Sequence, residues 1–115
     1  MLHIRQEQMK VLGEHMLRKF EDYMVGHLRQ DFADQVKNTP EDSLRSTIQK
    51  GISKAERYDI RIEYNVERYI DLMFMLGHDF DVASGTKWAG ELLNNKDMPP
   101  DEKINRIYYR LENKL

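Results

Sequence analysis

The chain has 115 residues, with 40% hydrophobic and 33% charged side chains and a net charge of -2. That size and balance fit one folded domain over 1–115, with a single core and a heavily charged surface, and exclude a disordered chain. The absence of cysteine excludes disulfides, thiolate metal sites and cysteine nucleophiles. Charge is also evenly spread, with six Lys/Arg and six Asp/Glu in 1–38 and twelve and fourteen in 39–115, so no basic block exists to neutralise nucleic acid.

The first predicted element is a long helix over about 3–33. Met9, Leu12, Met16, Phe20, Tyr23, Met24, Leu28 and Phe32 recur at three- and four-residue steps, one stripe of a 3.6-residue period. At about 1.5 Å per residue the helix would reach roughly 45 Å, longer than a compact domain of this size needs. Its first turns, about 1–15, are therefore expected to project or to pack on a partner. Gly13 and Gly26 weaken it, each by about 1 kcal/mol relative to Ala.

A second helix is predicted from Thr39 as N-cap and Pro40 as first helical residue, with Glu41 and Asp42 at the positive helix end. Leu44, Ile48, Ile52 and Ala55 line its inner face to about Tyr58. Ile60, Ile62, Tyr64 and Val66 then alternate with polar residues, a strand pattern with no second strand to pair with. An extended connection is the preferred reading; a strand over 60–66 would need a partner chain.

The third helix, about 65–76, is apolar nearly all round and is predicted to be the central element, with Gly77 as its C-cap. Asp71 lies within it, and a buried carboxylate needs a partner; Arg57, Arg61 and Arg68 are the candidates. A short helix with Trp88, Ala89, Leu92 and Leu93 follows. A last helix opens at Pro99-Pro100-Asp101-Glu102 and turns Ile104, Ile107, Tyr108 and Leu111 inward. The fold predicted is all-α, a four- or five-helix orthogonal bundle with a long N-terminal helix.

Signals for chemistry are sparse. His78-Asp79-Phe80-Asp81 is a compact set of ligand types, but a calcium loop would need further acids at fixed steps. It reads instead as a helix-exit loop with Phe80 in the core and the acids facing water or capping a helix. His3, His15, His27 and His78 have no partner at metal-ligand spacing along the chain. Ser43, Ser46, Ser53 and Ser84 lack the context of an activated nucleophile. No catalytic residue, metal or cofactor is assigned, and no enzyme activity is expected. The seven Met and six Tyr residues suit core filling or an adaptable contact surface.

Phe20-Glu21-Asp22-Tyr23-Met24, His27-Leu28, Phe32, Ile48, Gly51-Ile52, Ala55, Tyr58, Arg68-Tyr69-Ile70-Asp71-Leu72-Met73-Phe74, Leu76-Gly77, Asp79-Phe80-Asp81 and Trp88-Ala89 resemble a group of small uncharacterised all-helical bacterial proteins. Their genes stand beside type VI secretion spike and effector genes. The resemblance covers about 20–95 and departs at Val82-Ala83-Ser84-Gly85, where the group carries more Asp and Pro. It implies a Gram-negative cytoplasm and a helper role near a secreted effector.

The expected function is thus a non-enzymatic accessory protein, an adaptor or chaperone-like partner of a type VI effector or spike component. Met9, Met16, Tyr23 and His27 are its candidate contacts. An immunity protein that presents Asp79 and Asp81 to a toxin's basic cleft is the alternative. A helical DNA-binding regulator is disfavoured by charge, and a small hydrolase by the missing nucleophile and base. Self-association as a homodimer stays open. The N-terminus lacks a signal-peptide core, and the longest apolar run, 72–76, falls far short of a bilayer span, so a cytoplasmic protein without a membrane partner is expected.

Overall fold

The computed structural model describes residues 14–113, and all of its regular structure is helical. α1 spans Glu14–Asp31, α2 Ala33–Val36, α3 Glu41–Arg57, α4 Glu63–Leu76, α5 Lys87–Leu93 and α6 Pro100–Glu112, with a 3-10 turn at Ser84–Thr86. The bundle measures 34 × 33 × 23 Å. The predicted helical turns before residue 14, and with them Met9, lie outside the described residues.

The apolar stripes predicted from periodicity form the core. Phe20, Met24 and Leu28 of α1 and Leu44, Ile48 and Ala55 of α3 are buried against Val66, Tyr69, Ile70, Leu72 and Met73 of α4. α4 is the central element, packed on α1, α3 and α6. Gly51 permits the closest approach of α3 to α4: a β-carbon there would meet Ile70 Cγ1 at 2.6 Å and Met73 Sδ at 3.0 Å. Because Ile70 is fully buried and branched at its β-carbon, it has little room to yield.

The long first helix ends at Asp31, two residues earlier than predicted. Phe32 leaves helical geometry (φ -127°, ψ 41°), and α2 is a single separate turn. Arg29 closes this corner, its guanidinium donating to the carbonyl oxygens of Val36 and Thr39, each at 3.0 Å. A cation at a helix C-terminus is favoured by the dipole and satisfies carbonyls that lack helical partners. α3 starts one residue later than predicted: Pro40 occupies the cap, Glu41 is the first helical residue, and Thr39 makes no capping bond.

The strand pattern at 60–66 resolves as an extended link and a helix start. Asp59 takes a left-handed conformation (φ 64°), Ile62 is extended, and α4 begins at Glu63. No strand occurs among the described residues. Gly77 ends α4 at φ 117°, a conformation that favours glycine. Phe80 drops into the core beneath Tyr69, with ring centroids 5.1 Å apart. No helix among the described residues is long and apolar enough to cross a membrane.

Candidate functional site

Polar side chains meet across helices at two junctions: Arg45 and Gln49 of α3 bind Glu21 and Asp22 of α1, and a second set lies along the outer edge of the α1–α4 junction. On α1, Tyr23, His27 and Asp31 recur at four-residue steps and so share one face. On α4, Glu67 and Asp71 do the same. The two faces meet. His27 Nε2 lies 2.9 Å from Asp71 Oδ1 and 3.1 Å from Oδ2, and 3.5 Å from Glu67 Oε2. Its other nitrogen, Nδ1, faces Asp31 Oδ2 at 3.4 Å. The Tyr23 hydroxyl donates to Glu67 Oε2 at 3.0 Å, and its ring stacks on the His27 ring at 5.9 Å.

The site is half withdrawn from water: the His27, Glu67 and Asp71 side chains are 13%, 18% and 17% exposed. Burial pushes the Asp71 carboxyl up to about 6; the His27 hydrogen bond and charge pull the other way, and Glu67 and Asp31 raise it again. Burial first, and then the hydrogen bond to Glu67, push the Tyr23 phenol up to about 12. Among the described residues, no Lys or Arg pairs with Asp31, Glu67 or Asp71.

Asp71 is therefore not paired with Arg57, Arg61 or Arg68. Arg61 turns to Asp59 at 3.2 Å. Arg68 leaves α4 on the side of α6, over the rings of Tyr64 (5.1 Å) and Tyr108 (4.7 Å), and donates to Asn105 Oδ1 at 2.9 Å. The Tyr108 hydroxyl donates in turn to the Arg68 carbonyl at 3.0 Å. Tyr64, Arg68 and Met75 thus share an outward stripe of α4, bordered by Tyr23 of α1 and Tyr108 of α6. Tyr23, Tyr64 and Met75 are each about half exposed.

The other predicted contacts are dispersed. Met16 packs partly buried against the core. Asp79 is 78% exposed and pairs with Lys54 at 2.9 Å. Asp81 does not face outward with it. Its side chain is 3% exposed, accepting from the Tyr58 hydroxyl at 2.7 Å and Lys54 Nζ at 3.2 Å. Both acids accept from the same Lys54 ammonium, but Asp79 does so from the surface and Asp81 from within, so only Asp79 is open to a partner. Of the remaining histidines, His15 and His78 are exposed and join no acidic cluster, while His3 lies outside the described residues.

His27, Glu67 and Asp71 form a set whose ligand atoms lie within 4.8 Å of one another. Spacing along the chain hides this set, because the histidine is 40 and 44 residues from its partners. The legible signal is the pair of four-residue repeats of ligand-type residues on two helices. Comparison with protein-family models, with curated proteins and with solved structures returned no match.

Proposed function

We propose that this chain is a non-enzymatic accessory protein that binds another protein, an effector or spike component of a type VI secretion machine. The partner class comes from the resemblance carried by residues 20–95. What supports protein binding is the outward stripe of α4, which carries half-exposed Tyr64 and Met75 beside Tyr23 of α1, with Arg68 held between Tyr64 and Tyr108. Tyr, Arg and Met are the residue types enriched at the energetic centres of protein interfaces. An arginine already fixed between two rings loses little freedom on binding, which keeps the ordering cost low.

The test is affinity purification of the tagged chain from its native host beside a Tyr23→Ala/Tyr64→Ala variant, with mass spectrometry of what co-purifies. A spike protein or large effector recovered by the parent chain and lost by the variant is the expected result. Equal recovery by both chains removes the α4 stripe from the reading. A single small toxin, with rescue of its toxicity, makes the chain an immunity protein instead. A clean dimer that captures nothing assigns the stripe to self-association. Deleting residues 1–15 is expected to weaken the same capture while the remainder folds, since the buried core of the described residues begins at Phe20.

A further inference from the structure

The junction of α1 and α4 carries an electrostatic imbalance. Three carboxylates, Asp31, Glu67 and Asp71, converge on one imidazole, and no Lys or Arg among the described residues pairs with any of them. Protonating His27 supplies one positive charge against three negative ones. With its proton on Nε2, His27 donates to Asp71 at 2.9 and 3.1 Å; with the proton on Nδ1, towards Asp31, the Nε2 lone pair faces the same oxygens and a cation between them completes the contact. A divalent ion answers both the charge and the lone pairs.

The geometry agrees. Ligand atoms about 2.0–2.1 Å from a tetrahedral zinc ion lie roughly 3.3 Å from one another. The distances from His27 Nε2 to Asp71 Oδ1 and Glu67 Oε2, 2.9 and 3.5 Å, bracket that value, and the three ligand atoms all lie within 4.8 Å of one another. Asp31 stands at the second ring nitrogen, where a carboxylate orients a metal-ligating histidine and fixes its tautomer. The Tyr23 hydroxyl donates to Glu67 Oε2 and fixes its position. The partial exposure of all three side chains leaves a solvent-facing position for water. One nitrogen and two carboxylate oxygens suit a borderline ion such as zinc better than calcium, which takes six to eight oxygens.

We propose that His27, Glu67 and Asp71 form a three-ligand site for a divalent transition ion of the zinc class, fastening α1 to α4, with Asp31 as the orienting carboxylate and water as the remaining ligand.

The test is calorimetric titration of the chelator-stripped full chain with zinc chloride at neutral pH, in parallel with thermal melts with and without the ion. One zinc per chain and a rise in Tm are expected. His27→Gln, Glu67→Gln and Asp71→Asn should each weaken binding at least tenfold and abolish the rise in Tm, whereas His78→Gln and His15→Gln, at exposed positions outside the set, should leave both unchanged. Glu67→Gln guards against misfolding, because it keeps the side chain's shape and the ion-free melting temperature is read alongside. No stoichiometric zinc, zinc bound equally by His27→Gln, or saturation by calcium in preference to zinc would each overturn the site. In the first case the junction is a histidine hydrogen-bonded among acids and nothing more.

Discussion

The α-carbon of Gly90 lies against the carbonyl oxygen of Asp81, so close that a side chain at position 90 would collide with it. The loop after α4 is thus pressed onto α5 by backbone contact, and the obstacle is a peptide group, not the end of a flexible side chain. Gly90→Ala is expected to cost about 2–3 kcal/mol, the range of overpacking in rigid surroundings, against a gain of about 1 kcal/mol in helix propensity alone. A urea denaturation midpoint equal to that of the parent chain would contradict this.

Asp81 itself anchors the same loop. Its carboxylate takes the Tyr58 hydroxyl and the Lys54 ammonium in a nearly closed environment. Asp81→Ala should cost about 2 kcal/mol, since it leaves the Tyr58 hydroxyl without an acceptor, while Lys54 keeps Asp79 and the His78 carbonyl. Tyr58→Phe should cost less, about 1 kcal/mol, because Lys54 remains to serve the carboxylate. Chemical denaturation of both variants orders the two effects; the reverse order would mean that the loop is held mainly by the Phe80 contact.

Tyr69 offers a gain. Its ring is fully buried between Tyr58 and Phe80, yet its hydroxyl finds no hydrogen-bond partner. Tyr69→Phe removes a desolvated polar group and keeps the ring, so stability should rise by about 1 kcal/mol. A lower Tm in calorimetry would indicate that the hydroxyl is satisfied by solvent.

Glu63 gives the chain a pH dependence. Burial, with Glu67 adding, raises its carboxyl above the ordinary range, and one of its oxygens has no partner. A carboxyl raised in the folded state contributes its stability when neutral: fully below the unfolded pKa of about 4.3, and lost as pH rises through the folded value. Glu63→Gln should therefore stabilise the protein at pH 7 by up to about 1 kcal/mol and lose that advantage near pH 4. Melting curves at the two pH values check it; an advantage at acid pH would reverse the sign.

Arg68 and Tyr64 separate folding from binding. Arg68→Ala removes two ring contacts and the bond to Asn105 and should cost about 1 kcal/mol of stability. Tyr64→Ala, at a half-exposed position, should change stability by under about 0.5 kcal/mol. Both should weaken partner capture. Normal capture by a folded Tyr64→Ala chain would place the interface elsewhere.

The helices were legible because their burial is periodic: Phe20, Met24 and Leu28 announce a face that any helix must bury, and residues 65–76 announce a centre. Less legible was what depends on contacts between elements. Phe32 breaks α1 without a Pro or Gly nearby, and the corner is held by Arg29 through bonds to Val36 and Thr39 that no local pattern announces. Asp71 was recognisable as a carboxylate in need of a partner, but its neighbours along the chain pointed to arginine. The sequence cannot say that the face bearing His27 is the one laid against it. Asp79 and Asp81 look equivalent until the turn sends one out and the other in.

The cross-helix pairs Tyr23–Glu67 and His27–Asp71 share one separation, 44 residues. Equal separations mean that α1 and α4 run side by side in the same direction, with α3 as the return path between them. That arrangement decides where the chain tolerates changes in length. Residues added at the turn around 37–40 disturb the Arg29 bond to Thr39 but lengthen only the return path and leave the pairs facing one another. A single residue inserted between Tyr23 and His27, or between Glu67 and Asp71, turns everything beyond it about 100° around the helix and separates them. Natural versions of this protein are accordingly expected to vary in length at the turn, and to keep two four-residue intervals fixed.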